Sequence, residues 1–411
     1  MPQKAADTGA VIPDIRIPEQ LPWNVVLLGF VSLLTAMSSA MVYSLLPLFL
    51  VKVLGSTAGV IGIIEGLAES STSLLKVASG GISDWTARRR PLLLLGYALS
   101  AVNKLLFPLA ATVATITAAR VIDRVGKGIR DAPRDAFLTD VVPFRMRGSG
   151  FGLRLAFYTC GYVLGPLAAI GLMLGSGDNF RLVFWVAAIP AFLGFLLLVM
   201  AVKELPRLPA TQDRHFYLFR FRDIRRFPGA FWWTITIATS LSLARFSQAF
   251  LVLKANHVGV DAAFVPIILV LTHTVYAAAA YPFGVLADRL DRRIQMGLGI
   301  LMLIVADVIL ASATTLETTA LGAAVWGLQF AMTQGLLAAS VADAAPAEMR
   351  GTAFGIFDLS TGVAIFFANA AAGALWVVGG PVLTFAVSGL VAACASFALL
   401  LSGSSLNPIK C

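Results

Sequence analysis

An otherwise apolar stretch between residues 114 and 139 carries eight charged side chains. At about 100° per residue of an α-helix, all eight fall within an arc of about 140°. Charges are costly inside a bilayer and usually mark a functional site or a paired network. Such a stripe must face water or opposite charges, and its chemistry is ion pairing, proton exchange or the binding of a polar solute. The eight residues are Arg120, Asp123, Arg124, Lys127, Arg130, Asp131, Arg134 and Asp135.

A second apolar stretch, near residues 57–83, offers partners for this stripe. Its three charged residues lie within about 40° of one another on a helical projection. Depth can be counted back from Asp84 and Asp140, which mark the same end of the two predicted helices. Acid and base then meet at matching heights in three predicted ion pairs, which are Glu65–Arg120, Glu69–Arg124 and Lys76–Asp131.

Two interpretations of this charge network stay open. One is a purely structural network that holds the first half of the chain together. The other is a role in proton coupling or substrate binding. Burial favours the neutral form of a carboxylate, whereas a neighbouring arginine favours the ionised form. A helix movement that changes this balance would link a proton to the conformational state. The proposed network is Glu65, Glu69, Lys76, Arg120, Asp123, Arg124, Lys127, Asp131 and Arg134.

The elements that position these residues are transmembrane helices. Apolar residues make up 58% of the chain and charged residues only 13%, against roughly a quarter charged in a soluble domain. Stretches of about 20 mostly apolar residues predict twelve helices and an all-α integral membrane protein. They lie near 24–50, 57–83, 91–112, 114–139, 149–175 and 181–202, and near 230–254, 262–287, 294–315, 318–342, 352–378 and 381–402.

The chain repeats itself at half its length. The pattern D-x-x-P-x-x-x-R-G-x-x-F-G covers residues 140–152 and recurs at 343–355. A second motif recurs with almost the same offset: Gly80, Asp84, Arg88 and Arg89 correspond to Gly284, Asp288, Arg292 and Arg293. Tandem duplication in an apolar chain is typical of alternating-access transporters. We predict an N-terminal tail (1–23), a six-helix bundle (24–202), a linker (203–229), a second six-helix bundle (230–402) and a C-terminal tail (403–411).

The distribution of basic residues predicts the orientation. Loops after even-numbered helices, with the tails and the linker, hold nineteen Lys and Arg, whereas the opposite loops hold three. By the positive-inside rule both termini are cytoplasmic, and we expect a multi-pass protein of a bacterial inner membrane. The basic linker is interpreted as an orientation signal, with a regulatory or lipid-binding site as the alternative. The net charge of +9 therefore does not require a nucleic-acid partner.

Several classes of function lack support in the sequence. Residues 1–22 have no apolar core typical of a cleavable signal peptide. Three cysteines and three histidines are scattered along the chain, so no metal centre and no cofactor is expected. No Ser-His, paired Asp or His-metal arrangement occurs at catalytic spacing. The protein is therefore predicted not to be an enzyme.

The motif residues resemble the major facilitator superfamily across the whole membrane region. The family signature between helices two and three reads roughly G-x-x-x-D-R-x-G-R-R. Trp85 and Ala87 depart from it in the first copy, and Asp291 replaces a glycine in the second. The resemblance implies twelve helices in two pseudo-symmetric six-helix bundles, with these loops making charged contacts that steady the outward-open state. The gating-loop residues would be Gly80, Asp84, Arg88, Arg89, Gly284, Asp288, Arg292 and Arg293.

Two further resemblances concern coupling. Arg120, with Arg124 as the alternative register, resembles the family's buried arginine, which is often tied to proton transfer. The predicted fifth helix reads G-x8-G-x3-G-P, similar to family members that exchange a substrate for protons, although Ala169-Ile170 replaces the closing Gly-Gly. Glycines there are expected to let the two halves approach closely, and ordinary helix packing is the alternative. The motif residues are Gly152, Gly161, Gly165 and Pro166.

The resemblance also implies that helices one, four, seven and ten line a central cavity. The matching residues are basic and rich in amides, which favours a small anionic or strongly polar solute. For Gln329 and Gln334, interhelical hydrogen bonding is the alternative role. The cavity residues would be Tyr43, Arg120, Arg124, Arg245, Gln248, Trp326, Gln329 and Gln334, with Ser38, Ser39 and Lys127 beside them.

The leading hypothesis is secondary active transport by alternating access. We expect proton-coupled antiport, with export of a small polar or anionic solute. The partners would be the lipid bilayer, the solute and protons, and the protein would act as a monomer. One alternative is an importer or symporter, including one for a metal or metal chelate. Another is a receptor or assembly factor that kept the fold without transporting. No role is assigned to two further intramembrane acids, Asp307 and Asp358.

Overall fold

The computed structural model describes residues 22–86, 88–143, 146–201, 227–287, 290–345 and 349–401. These residues form thirteen α-helices and no strand. The first half holds α1 (Trp23–Lys52), α2 (Ala58–Thr86), α3 (Arg89–Asn103), α4 (Leu106–Leu109), α5 (Val113–Val141), α6 (Arg147–Ser176) and α7 (Phe180–Ala201). The second half holds α8 (Gly229–Ala244), α9 (Ala249–His257), α10 (Ile267–Ala287), α11 (Arg292–Ser312), α12 (Leu316–Ala344) and α13 (Arg350–Leu401).

The predicted all-α membrane fold is confirmed, and the helices fit the twelve predicted spans. The predicted third span is interrupted between α3 and α4, and the predicted seventh between α8 and α9. The eleventh and twelfth are joined in α13, which turns at Gly379 and Gly380. Gly380 has a φ of 68°, which a residue without a Cβ adopts at little cost. Eight described segments are long and apolar enough to cross a membrane, and two of them each join two helices, α3 with α4 and α8 with α9.

Three described helices, α2, α5 and α12, are not among the eight. In α2 and α5, charged residues lower the mean hydropathy. Burial against other helices, rather than contact with lipid, must therefore stabilise them. The predicted domain boundaries stay predictions, since residues 1–21, 202–226 and 402–411 of the tails and the linker lie outside the described residues.

The duplication extends to the start signals of two helices. At the start of α5, the Thr112 side chain accepts a hydrogen bond from the Thr115 backbone N–H at 3.2 Å. At the start of α12, Thr315 accepts from the Thr318 backbone N–H at 3.3 Å, and the Thr318 hydroxyl accepts from the Thr315 backbone. Such caps satisfy the first free N–H groups of a helix. The same device therefore fixes the beginning of corresponding helices in both halves.

The hydrophobic core is shared at one end of the molecule and divided at the other. One large cluster joins residues of both halves, including Phe49 and Phe184 from the first half with Phe250 and Phe385 from the second. At the end that carries the arginine-rich loops, each half has its own cluster instead. One is built around Leu93 and Phe137, and the other contains only second-half residues. The two halves are thus sealed together at one end and separately packed at the other.

Small residues bring α2 and α13 into contact across the two halves. A Cβ on Gly62 would lie 3.0 Å from Gly373 Cα, and a Cβ on Gly66 would lie 2.9 Å from the Phe366 carbonyl oxygen. Only a glycine permits such close approach of two helix backbones. The α2–α13 contact continues toward the arginine-rich end, where Gly362 meets Ser73.

The glycines of the α6 motif act within one half, which corrects the expectation that they bring the two halves together. A Cβ on Gly165 would lie 2.6 Å from the Met37 carbonyl oxygen of α1, and Gly161 is equally close to Leu33 and Ala36 of α1. Gly152 faces open space. The spacing of the glycines predicted a close helix contact, but the identity of the neighbouring helix depends on the tertiary arrangement.

Candidate functional site

The centre of the charge network is an ion pair between α2 and α5. Arg120 Nε and Nη2 each donate to Glu65, to Oε1 and Oε2 respectively, at 2.8 Å. Both side chains are 3% exposed. Two parallel hydrogen bonds between ionised groups are among the strongest polar contacts in proteins. The predicted Glu65–Arg120 pair is therefore confirmed, and its geometry offsets the cost of burying both charges.

A second pair lies one helical turn further along the same two helices. Arg124 Nη2 is 3.0 Å from Glu69 Oε1, and Arg120 Nη2 reaches the same oxygen at 4.0 Å. The predicted Glu69–Arg124 pair is thus confirmed. Both guanidinium groups also lie over the ring of Tyr43, at 4.7 Å and 5.9 Å from its centre. Cations gain further stabilisation from an aromatic face, so Tyr43 completes the pocket that holds the two arginines.

The predicted pair between Lys76 and Asp131 is wrong. Lys76 Nζ lies 3.1 Å from Asp358 Oδ2 on α13, in the other half of the molecule. Asp131 instead accepts from Arg134 at 2.7 Å on its own helix. Counting residues from a helix end gives depth but does not tell which helix a side chain faces. Because α13 packs along α2, Lys76 pairs with Asp358 of α13. The prediction had compared charges only between the second and fourth predicted spans, so it did not consider this acid.

Another buried pair was missed. Lys104, between α3 and α4, donates to Asp123 Oδ1 at 2.9 Å and to Ser39 at 3.2 Å. Lys104 and Asp123 are 1% and 4% exposed. The signal was present in the sequence, since both are charges of opposite sign in neighbouring apolar segments. The break at Lys104 is what lets this side chain reach α5.

A small, open cavity lies beside the network, within the first half. Two of its cations have no carboxylate within 4.0 Å among the described residues: Lys127, and Arg130, which donates to Ser100 and lies over the ring of Tyr97. Arg124 lines the cavity as well as pairing with Glu69. The lining comprises Ser32, Thr35, Ala36, Ser39, Tyr97, Asp123, Arg124, Lys127, Arg130, Asp131, Arg134, Tyr158 and Tyr162.

The two halves meet at a polar contact on the sealed side of this network. The Tyr43 and Ser247 hydroxyl oxygens are 2.7 Å apart. The Ser247 hydroxyl donates to Glu65 Oε2 at 3.0 Å, and its backbone N–H donates to Asn369 at 2.7 Å. Tyr43 and Ser247 are 204 residues apart, which is the offset of the sequence repeat. They are thus equivalent positions of the two halves that touch one another. Sequence analysis missed Ser247 and Asn369, although the repeat offset could have indicated the first.

The predicted cavity residues of the second half form a separate group. Arg245 lies in the break between α8 and α9, donates to Thr333 at 2.5 Å and lies over the Phe330 ring. Trp326 stacks on Phe330. Gln329 is buried and donates to Thr333 of its own helix at 3.2 Å, so this bond is intrahelical and not the interhelical bond expected as the alternative role. Gln248 is half-buried and Gln334 exposed. Of the predicted cavity residues, Arg124 lines the cavity described above, as do Ser39 and Lys127 that were placed beside them; the role of the others stays a prediction.

The two repeated loop motifs are joined by an ion pair in each half. Arg89 Nε lies 3.4 Å from Asp140 Oδ2, and Arg292 pairs with Asp343. In both halves the first residue of one motif binds an arginine of the other motif, but the arginines occupy neighbouring motif positions, because Arg292 corresponds to Arg88. Gly80 approaches Ala132 of α5, whereas Gly284 faces open space. Arg88 is exposed and Arg293 donates to the Leu399 carbonyl. Asp288 and the side chain of Asp84 lie outside the described residues.

This arrangement can hold an anion and exchange protons, whereas its described residues do not form a metal centre. No group of three His, Cys, Asp or Glu side chains among the described residues is placed to hold a metal ion. Cations, hydroxyl groups and three tyrosine rings share the cavity. Those groups can neutralise and hydrogen-bond a small solute.

Comparison with known proteins agrees with the fold and the duplicated halves. The model of the Major Facilitator Superfamily matches residues 28–255 and 241–408. The chain is 32% identical over 387 residues to an uncharacterised MFS-type transporter of Methanocaldococcus jannaschii, covering 93% of this chain and 95% of the relative. The two matches of the family model, one over each half of the chain, correspond to the repeat seen in the sequence.

Solved structures show the same fold at low sequence identity. The crystal structure of the peptide transporter POT superposes with a TM-score of 0.76 at 14% identity, covering 94% of this chain and 95% of that one. A bacterial homologue of the human lysosomal transporter Spinster, in an inward-facing and occupied conformation, gives 0.74 at 15% identity, covering 93% and 97%. The chain belongs to the major facilitator superfamily. It is a multi-pass membrane transporter and not an enzyme.

Proposed function

We propose that this protein is a proton-coupled transporter of a small organic anion that works by alternating access. The observation that carries the proposal is the cavity with two cations, Lys127 and Arg130, that lack a carboxylate partner among the described residues. Arg130 is buried and Lys127 is half-buried, and leaving such a cation without an anionic partner is costly, so an anionic ligand reduces that cost. Nearby hydroxyl groups and tyrosine rings suit a polar solute with an organic body.

Proton coupling is proposed because Arg124 belongs both to the cavity and to the ion pair with Glu69. It lines the cavity and pairs with Glu69 at 3.0 Å. An anion that attracts Arg124 weakens its pairing with Glu69, and an unpaired, half-buried carboxylate favours the protonated form. Anion binding and proton binding then support one another, which is the linkage required for symport. This geometry favours the symport alternative over the antiport expected from the α6 motif.

Antiport with export remains the second candidate, and the glycine pattern Gly152, Gly161 and Gly165 favours it by resemblance. Symport and antiport differ in the direction in which protons move relative to the anion. Purified protein is placed in liposomes with a pH-sensitive dye inside and the membrane potential clamped. An anion added outside acidifies the interior if it enters with protons, and makes it alkaline if it enters in exchange for protons. An unchanged interior pH during measured solute uptake contradicts proton coupling altogether.

The substrate class is tested with solutes of similar size but different charge. We expect carboxylates or phosphate esters, rather than neutral sugars or organic amines, to drive proton movement. Lys127→Gln should raise the KM for the anion about 10- to 100-fold, because a hydrogen bond to a charged group is worth about 1.5–3 kcal/mol. Lys52→Gln, which removes an exposed lysine at the end of α1, is the matched control. Vesicles that are inert to every solute would favour a non-transporting receptor.

We further propose a bacterial inner membrane location with both termini cytoplasmic, and a monomeric working unit. The orientation is supported by the basic loops and linker, and the monomer by a cavity and network contained in one chain. In this orientation the sealed end faces outward and the conformation is open to the cytoplasm. Reporter fusions at each terminus that are active only when cytoplasmic test the orientation; activity on the opposite side would overturn it.

A further inference from the structure

The second half contains a buried acid that does not belong to the charge network of the first half. Asp307, on α11, is 1% exposed. None of the described basic side chains is within 4.0 Å of its carboxylate, and its Oδ1 atom has no hydrogen-bond partner. An ionised carboxylate buried in this way is costly, because neither a cation nor a set of donors compensates its charge.

Among the described residues, the Asp307 side chain has one hydrogen-bond partner, the Ser388 hydroxyl, and that bond is informative. Ser388 Oγ lies 2.6 Å from Asp307 Oδ2 and 2.7 Å from the Ala244 carbonyl oxygen. A hydroxyl group has one proton to donate. It cannot serve two acceptors at these distances unless one of them carries a proton of its own. A carbonyl oxygen cannot do so, whereas a neutral carboxyl group can.

The Ala244 carbonyl needs the Ser388 proton because it is the last residue of α8. The final carbonyl groups of a helix have no partner within the helix and are satisfied by side chains or water. If Asp307 were ionised and took the Ser388 proton, two oxygens with lone pairs would face one another at 2.7 Å. A neutral Asp307 avoids both the cost of a buried charge and this repulsion between oxygen lone pairs.

We propose that Asp307 is a proton-binding site whose bound proton supports the break between α8 and α9. Asp307 Oδ2–H donates to Ser388 Oγ, and Ser388 donates to the Ala244 carbonyl oxygen. The three residues that follow Ala244 include Arg245 and Ser247. Ser247 contacts Tyr43 and Glu65 of the first half, so the proton on Asp307 stabilises the segment that joins the halves at the sealed end.

The charged groups on the surrounding helices leave Asp307 without an ionic partner. The helices packed against α11 are α12 and α13. Among the described side chains, Arg245, which follows α8, is hydrogen-bonded to Thr333. The charged side chains on α11, α12 and α13 are exposed or paired with other residues. Arg292 pairs with Asp343, Arg293 donates to the Leu399 carbonyl, Asp358 pairs with Lys76 of α2, and Glu317 is exposed. The site therefore goes beyond the proposed function and can be tested without a substrate.

Infrared spectroscopy of the purified protein at neutral pH tests the protonation state. The wild type should show the carbonyl stretch of a protonated carboxyl group, which shifts on exchange into ²H₂O and is lost in Asp307→Asn. Glu317→Gln, which removes an exposed acid of α12, should keep the band. An identical band in Asp307→Asn would overturn the proposal, because another acid would then carry the proton.

A second variant keeps the proposal testable if Asp307→Asn fails to fold. Ser388→Ala removes the acceptor of the Asp307 proton, so the same band should move to higher frequency. Hydrogen exchange of the backbone amides after Ala244 should become about fivefold faster in Ser388→Ala, the equivalent of one lost hydrogen bond. Asp307→Asn should not accelerate it, because an amide N–H₂ can still donate to Ser388. Unchanged frequency and unchanged exchange in Ser388→Ala would refute the proton site and its link to the break.

Discussion

At the residue scale, the charges of α5 divide into two groups with different roles. Arg120 and Asp123 are buried and closely paired. Lys127 and Arg130 face the cavity without a carboxylate partner among the described residues. The first group stabilises the packing of α5 against α2 and α3. We propose that the second group is where the solute binds, because no carboxylate among the described residues lies within 4.0 Å of it.

The Glu65–Arg120 pair provides a prediction on stability. Glu65→Gln leaves the buried guanidinium without its main partner, and removing one member of a buried pair costs about 3–5 kcal/mol. Unfolding in detergent should show a loss of this size. The double variant with Arg120→Gln should recover part of it, since neither side chain is then charged. Losses that simply add in the double variant would show that the two residues do not interact.

At the element scale, small residues determine which helices can come into contact. Gly161 and Gly165 on α6 bring it against α1, and glycines on both α2 and α13 join the two halves. The breaks at Lys104 and at residues 245–248 have a different effect. Each interrupts a span where a basic side chain must leave the helical path to reach a partner on a neighbouring helix.

The α6 contact can be tested with two alanine substitutions on the same helix. Gly161→Ala places a Cβ against the backbone of α1 and should destabilise the protein by about 1–3 kcal/mol through overpacking. Gly152→Ala is the matched control, because its Cβ meets open space and the higher helix propensity of alanine adds up to about 1 kcal/mol. Thermal unfolding in detergent measures both. Equal changes in melting temperature would show that α6 does not depend on this contact.

At the scale of the whole molecule, the two halves are held together by a shared core at one end and by a few polar contacts. The contact of Tyr43 with Ser247 joins equivalent positions of the two halves. The Lys76–Asp358 pair joins them nearer the arginine-rich end. The Arg89–Asp140 and Arg292–Asp343 pairs each lie inside one half. They therefore can persist when the halves rock against one another, whereas the first two contacts must change.

Removing the Ser247 hydroxyl should shift the equilibrium between conformations. Ser247→Ala eliminates hydrogen bonds to Tyr43 and Glu65, each worth about 0.5–1.5 kcal/mol. The state in which this end is open should then be populated roughly two- to tenfold more for each bond lost. Distances between spin labels at the exposed residues Thr57 and Asp261 report the opening.

Ser242→Ala is the control for this measurement, because the Ser242 hydroxyl donates only within its own helix, to the Ala238 carbonyl. It should leave the distance distribution as in the wild type. If both variants give the wild-type distribution, the Ser247 contact does not hold the halves together.

The amino-acid sequence by itself determined the membrane class, the duplicated architecture and two ion pairs. Apolar length, helical periodicity and the spacing of charges are local properties, and they suffice where two neighbouring helices face one another, as at Glu65–Arg120. Only the tertiary structure decided that Lys76 meets Asp358, that α6 glycines face α1, and that Ser388 links Asp307 to the end of α8. These contacts join segments distant along the chain, and their partners depend on which side of each helix is turned toward which neighbour.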